Sequence, residues 1–337
     1  MIANVRRFAT SSRKSMTALR STTTGTTFAT LLLLVVAAFW GLNATASKFL
    51  YNPAGLGMDG IGLFVARSAW TLPLFLALAL RHRPKTALPT HDWWRLAALG
   101  VMFGPLQTGV FALGTQHTSA AHVVMLFSLS PPLTAVLSAF LLRESISPVR
   151  TVALGVGIAG ALLLMLTRSA SGSHLTGDAL ILVMVVSFSF TAVLMRGFAA
   201  KYSPLFITGV YGTFGTLLLI VVGACMGRLG AIIQPLSTDP LTLFWFFGII
   251  VLGLSLVAQI AQTFALRVVS ATTFSVVTSY ASLLVGVASS IVIVHEQIGP
   301  TGVVAGALLA CALGLALVAK GTGTQPRGAR TSAPSSP

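Results

Sequence analysis

Carboxylates are scarce in this chain: six in 337 residues, at Asp59, Asp92, Glu144, Asp178, Asp239 and Glu296. Every one falls near the end of an apolar run, so no mid-membrane acid is encoded. That argues against a polycation pump built on a buried carboxylate. Charge of both signs is low, 8% of residues against roughly 25% in a soluble domain. With 55% hydrophobic residues and a mean hydropathy of +0.90, the chain cannot cover a water-facing surface, and lipid must be part of its solvent. Two cysteines, Cys225 and Cys311, form neither a disulfide framework nor metal-ligand spacing, and both are expected to be buried and inert. No Walker-type phosphate loop, HExxH or GxSxG occurs, so neither an ATP motor nor a catalytic centre is encoded. No cofactor and no metal are expected, and the chain does not read as an enzyme.

What is present is a series of long apolar runs. A helix needs roughly 20 apolar residues to cross about 30 Å of hydrocarbon. Ten such runs lie at about 28–48, 60–80, 94–113, 120–142, 148–167, 178–197, 204–226, 242–264, 271–294 and 300–320. Backbone groups in lipid must be hydrogen-bonded within the segment, so runs of this length are helices. The expected fold is an all-α integral membrane protein with ten transmembrane helices. Ser147–Pro148 and Gly299–Pro300 read as helix starts, with Pro at the first helical position.

Residues 1–27 carry five basic residues, no acid and many Ser and Thr, and 321–337 are polar. Both read as disordered tails, with a transit peptide the alternative for the first. No cleavable secretion signal is expected ahead of the first helix. With the N-terminus inside, the inside segments hold Arg6, Arg7, Arg13, Lys14, Arg20, Arg81, Arg83, Lys85, Arg95, Arg143, Arg150, Arg196, Lys201, Arg267, Lys320, Arg327 and Arg330, which is 17. The outside segments hold Lys48, Arg168 and Arg228, which is 3. This split supports ten spans with both termini cytoplasmic. It also makes the formal charge of +15 topogenic, so nucleic acid is not expected as a partner.

One motif occurs twice. "RESISP" (143–148) and "HEQIGP" (295–300) both read E-x-I-x-P, with Glu144 and Glu296 each placed to meet the positive end of the next helix. Five spans separate them, an odd number, so the second copy is upside down. "SAAHVVMLFS" (119–128) resembles "SATTFSVVTS" (270–279), Asp92 resembles Asp239, and Lys48 resembles Arg196. Two inverted five-helix repeats are therefore expected, over 28–170 and 171–320. Spans 5 and 10 carry small residues every four positions: Ala153, Gly157 and Ala161, then Gly302, Gly306, Ala310 and Gly314. Such stripes let helices approach closely, and these two spans should pack on each other. Inverted repeats enclosing a midplane site are an architecture that transporters use, and some channels share it.

"FWGLNATASK" (39–48), "ARS" (66–68) and Pro131-x12-Glu144 resemble the EamA-type transporters of the drug/metabolite transporter superfamily, over about residues 28–320. The resemblance implies a secondary carrier, often an exporter of amino acids, other metabolites or toxic compounds. The family commonly carries a proline in span 9; Leu283 occupies that frame here.

Charges inside the membrane cost about 2.5–3.5 kcal/mol each on insertion scales and are functional candidates. Arg67 is the deepest, a counter-ion for a carboxylate or phosphate or a structural donor to backbone carbonyls. Lys48 lies nearer the interface, where it either contacts substrate or snorkels. Trp40 and Asn43 share a face of span 1 and offer a stacking surface and an amide, or else helix packing. Gln107, Gln259, Gln262, Tyr211 and Tyr280 either line a polar cavity or bond helices together. Pro131 and Pro132 should kink span 4, with Ser128 and Ser130 re-satisfying the freed groups, and form a candidate hinge. His122 is a candidate for proton coupling, against an ordinary buried histidine.

The function read from these features is alternating-access transport, in the export direction, of a small polar metabolite, amino acid-like or otherwise neutral or anionic, across the inner (plasma) membrane. A passive channel and, more remotely, a membrane-embedded lipid-modifying enzyme are the alternatives. A homodimer stays open. Topology provides the first test. Single cysteines at Ser145 and Gln297, in a background lacking Cys225 and Cys311, should react with an impermeant thiol reagent from opposite sides of the membrane. Reaction from the same side would rule out the inversion.

Overall fold

The computed structural model describes residues 23–84, 88–142, 148–166, 175–199, 201–269 and 271–318. All regular structure among them is helical: ten successive spans, with two short 3-10 helices, Leu229–Ile232 and Gln234–Ser237, between the seventh and the eighth. The spans are α1 (Thr23–Tyr51), α2 (Gly60–Arg81), α3 (Thr90–His117), α4 (Ala120–Phe127 and Ser130–Leu142), α5 (Pro148–Leu166), α6 (Leu175–Ala199), α7 (Pro204–Cys225), α8 (Pro240–Val268), α9 (Ala271–Ile293) and α10 (Pro300–Val318). Eight contain a stretch long and apolar enough to cross a membrane, and Thr151–Leu166 and Pro300–Leu315 are shorter apolar helices. The expected spans fall inside these helices or within a few residues of them. Residues 23–27, assigned to the N-terminal tail, are helical, since α1 begins at Thr23, and 1–22 lie outside the described residues. The other tail, the boundary near 170 and Glu144 lie outside the described residues.

Local chemistry explains the helix starts. Asp59 caps α2 by accepting from Gly62 N at 2.7 Å, and Asp239 caps α8 by accepting from Leu241 N and Thr242 N at 3.1 Å. The Thr242 side chain beside it, together with those backbone bonds, holds the pKa of the exposed Asp239 carboxylate below the usual range. Ser119 caps α4 by accepting from His122 N at 3.1 Å. Pro148, Pro204, Pro240 and Pro300 each occupy a first helical position, where the missing N–H costs nothing.

The helix pairing follows a rule. α1 packs on α9 and α8; α6 packs on α4 and α3; α2 packs on α8, and α7 on α3. Shifting each helix number by five turns one member of each set into the other. The pairs α2–α7, α5–α10 and α4–α9 map onto themselves. Between α3 and α7 the backbones touch. A Cβ at Gly104 would sit 2.3 Å from Gly215 O, and one at Gly215 would sit 2.7 Å from Gly100 O. Hydroxyl pairs join α9 to its neighbours: Ser130 to Ser279 at 2.9 Å, Thr134 to Ser275 at 3.1 Å and Thr45 to Ser289 at 2.7 Å.

Two expectations need correction. Spans 5 and 10 do pack together, but not through both small-residue stripes. Gly157 of α5 sits against Leu129 and Ala312 and Gly160 against Leu308 and Leu309, whereas Gly306 faces Met125 of α4 and, among the described residues, nothing lies near Gly314. A four-residue stripe shows where a close approach is permitted, and the neighbour that uses it is set by the whole bundle. Cys225 and Cys311 are exposed, not buried. On a lipid-facing helix an apolar run needs no protein cover.

Gly104→Ala should destabilise the fold by about 1–3 kcal/mol through overpacking. Gly314→Ala should be neutral or stabilising, by up to about 1 kcal/mol from helix propensity. Thermal unfolding of the detergent-purified variants measures both. Equal melting of the two variants would contradict the close α3–α7 contact.

Candidate functional site

A cavity opens among the middles of the spans. It encloses about 620 Å³ of unfilled space, its mouth included, with walls from both ends of the chain. That is the scale of a small-molecule site. Trp40 and Asn43 of α1, Arg67 of α2, Gln107 of α3 and Gln259 of α8 all line it. Five of the nine polar and aromatic residues singled out from sequence as candidate cavity groups thus meet in one space.

The apolar wall is aromatic. Trp40 is held edge-on by Phe188 (centroids 4.9 Å apart, 89°), Phe127 (5.6 Å, 84°) and Phe274 (5.7 Å, 86°). Such T-shaped contacts satisfy the ring quadrupoles and fix the indole plane. Trp40 therefore combines the two roles left open for it, packing helices and facing the cavity.

The polar wall is unusual in what it leaves unpaired. The buried Arg67 donates from Nε to Ser255 Oγ at 2.7 Å, and Ser255 Oγ donates onward to Ile250 O at 2.8 Å. Among the described residues no carboxylate lies within ion-pair distance of Arg67, and no protein acceptor takes its terminal amino groups. Asn43 Oδ1 is buried without a hydrogen-bond partner. Gln107 commits its Nε2 to Thr191 Oγ1 at 2.7 Å, leaving its carbonyl. Gln259 commits its Oε1 to the Tyr211 hydroxyl at 3.0 Å, leaving its NH2.

The backbone widens where these groups sit. Met102–Gly109 of α3 and Phe244–Ala258 of α8 are π-helical, and they bring Phe103, Gln107, Thr108 and Leu254 to the wall. In both segments a hydroxyl bonds back five residues: Thr108 Oγ1 to Phe103 O at 3.0 Å, and Ser255 Oγ to Ile250 O. π-Helical turns are rare and occur frequently at functional sites.

The remaining candidates lie elsewhere. Tyr211 is fully buried behind Gln259. Gln262 is buried one turn further along α8, outside the lining. Tyr280 is 44% exposed on the outer face of α9, away from the cavity. Lys48 is half-buried near the end of α1, in the field of Glu296 and outside the lining. His122 is buried with its Nδ1 3.2 Å from Asp178 Oδ2, and Thr118 donates to the same carboxylate.

The break expected at Pro131 and Pro132 is present as the interruption of α4 at residues 128–129. Ser128 Oγ donates to Met125 O at 2.6 Å, and Ser189 of α6 donates to Ser130 O at 3.3 Å. α9, with Leu283 in the matching frame, is unbroken.

Glu296 requires a correction. Its carboxylate does not stay at the start of the following helix. It accepts from Ala120 N at 2.7 Å and Ala121 N at 2.9 Å, at the start of α4. His295 adopts the left-handed conformation (φ 56), and Glu296 N donates to Ser290 O at 3.1 Å, so the turn closes back on α9 and directs the carboxylate across the bundle. A helix N-terminus attracts a carboxylate, but sequence does not say which N-terminus lies nearest.

Sequence reasoning missed Ser255, the partner that orients Arg67, as well as the cavity residues Phe103, Phe127 and Phe188 and Asp178, the partner of His122. The signal for Ser255 is a hydroxyl in the middle of the most apolar span. The phenylalanines carry no signal among 20 of their kind.

The profile of the EamA-like transporter family matches residues 27–166 and again 175–319. A WAT1-related chloroplastic protein of Arabidopsis thaliana is 29% identical over 192 residues, which is 55% of this chain and 44% of that protein. An uncharacterized transporter of Archaeoglobus fulgidus is 24% identical over 189 residues, which is 56% of this chain and 64% of that one. The chain thus matches less than two thirds of the length of either relative. A solved crystal structure superimposes with a TM-score of 0.58, covering 88% of this chain and 99% of the other at 18% identity, a likeness of fold.

Glu296→Ala should cost about 1–3 kcal/mol by leaving two buried amides unsatisfied, and Glu296→Gln should cost less. Thermal unfolding in detergent measures both. A Glu296→Ala protein that melts like the parent would remove the clamp from the account.

Proposed function

The chain belongs to the EamA-like transporter family and is a multi-pass membrane transporter, and from that premise we propose that it exports a small polar metabolite by alternating access. The observation that carries the reading is the central cavity. Polar groups from α1, α2, α3 and α8 converge on it at mid-span, with hydrogen-bonding capacity that no protein group uses. In an apolar environment such capacity is costly unless a ligand or water takes it up.

The double match of the family profile and the pairing rule among helices support two inverted halves, α1–α5 and α6–α10. In such an arrangement the site lies between the halves, and rocking exposes it to each side in turn. The charge count supports an orientation with both termini and the Asp92–Tyr202 end in the cytosol, and the membrane in this reading is the inner (plasma) membrane. The outer end is then the one where odd-numbered connections are bonded together. There Gly60 N donates to Gln116 Oε1 at 3.0 Å, Arg228 pairs with Asp59 at 2.5 Å, and Glu296 holds α4. Transport, not catalysis, is the role these groups serve.

Comparing metabolites released by cells with and without the gene identifies candidates, and proteoliposomes then test the mechanism. Trans-loaded substrate should accelerate uptake of labelled substrate, since counterflow requires a carrier. Saturable uptake should fall at least tenfold in Arg67→Ala with membrane insertion unchanged. Flux without counterflow would make the protein a channel, and unchanged transport by Arg67→Ala would remove Arg67 from the site.

A further inference from the structure

The cavity's unused groups have a definite chemical sense. Among the described residues its fixed charge is one guanidinium, and no lining residue is acidic. The Nε–Ser255 bond, itself anchored on Ile250 O, holds the guanidinium plane and leaves the two terminal nitrogens for a ligand. Those nitrogens match the two oxygens of one carboxylate or two of a phosphate. The groups left over nearby are of the other kind. Asn43 Oδ1 is a buried acceptor with no donor, and the Gln107 carbonyl is a second acceptor. They call for N–H or O–H groups on the ligand. The same cavity is lined by the fixed Trp40 ring with Phe127 and Phe188.

Resting on the transport reading, we propose that this site selects an organic monoanion. The ligand carries one carboxylate for Arg67, at least one hydroxyl or N–H donor for Asn43, and a flat apolar body for the Trp40 wall. A single buried positive charge balances a single negative one. A phosphate dianion would leave a net negative charge in the low-dielectric interior, and a cation would face Arg67 with no counter-ion. A neutral ligand leaves the guanidinium without a counter-ion.

The test is binding by the full-length purified protein in detergent, read by ligand-dependent thermal stabilisation, so it does not depend on transport. The probe is phenyllactate, which has a carboxylate, a hydroxyl and a ring. Its comparators are phenyllactamide, phenethylamine and phenyl phosphate. Phenyllactate should stabilise at millimolar concentration, with affinity at least tenfold above each comparator. Arg67→Gln should lose that stabilisation while keeping a monodisperse elution profile, and Asn43→Leu should weaken phenyllactate more than 3-phenylpropionate, which lacks the hydroxyl. Arg67→Lys provides a charged variant if Arg67→Gln fails to fold, and should retain the preference for anions. Equal stabilisation by the amide or the amine, or none by phenyllactate, would overturn the proposal. A preference for phenyl phosphate would assign the guanidinium to phosphate esters and overturn the monoanion assignment. Phenyllactate binding without counterflow of any substrate would leave this inference standing and sink the carrier reading.

Discussion

At the start of α4 two backbone amides point into protein instead of water, and the Glu296 carboxylate accepts from both. A helix that begins inside a membrane protein must have its first N–H groups satisfied by something other than solvent. Here the acceptor comes from the turn between α9 and α10, far away in sequence. Asp178 of α6 adds a second tie through His122 and Thr118. The short first half of α4, Ala120–Phe127, is thereby fixed, and its Val123, Val124 and Phe127 form part of the cavity wall. Phe127 in turn packs on Trp40. The shape of the cavity follows from where that helix is made to begin.

The second constraint is the buried guanidinium. Removing a cation from water costs several kcal/mol unless its donors are matched. The fold matches only part of Arg67, through Ser255. The widened turn of α3 brings the Gln107 amide to the cavity wall, that of α8 places Ser255 against Arg67 with Gln259 just beyond it, and each amide commits one end to a protein partner. This division of labour keeps the wall rigid while leaving capacity for a ligand, the arrangement a selective site needs.

Much of this was legible in the residues. The spans were legible because hydrocarbon thickness fixes helix length and every breach of apolarity is conspicuous. Trp40, Asn43, Arg67, Gln107 and Gln259 were legible for the same reason, since a polar group in an apolar run must find a partner. Tyr280 shows the limit: its ring is as comfortable against lipid as in a core, while its neighbours Ser279 and Ser282 face inward. Lys48 is long enough to stay near the interface whatever the cavity does. The acceptor of the α4 amides was not legible, because Glu296 lies next to one helix start in sequence and beside another in space. The π-helical turn of α3 contains Pro105, which hints at a disturbance; the one in α8 contains no proline at all.

If the halves rock about the cavity, the contacts at Glu296 must break and reform in each cycle. The hinge implied by the interruption of α4 sits about two turns beyond them, so release of the amides would free Ala120–Phe127 to tilt. The most direct measurement is a reversible cross-link at this point. Ala120→Cys and Gln297→Cys, introduced together in a background without Cys225 and Cys311, join the start of α4 to the turn that clamps it. Oxidation of the reconstituted protein should abolish counterflow, and reduction should restore it. Full counterflow while the cross-link is intact would contradict a site that opens between two moving halves.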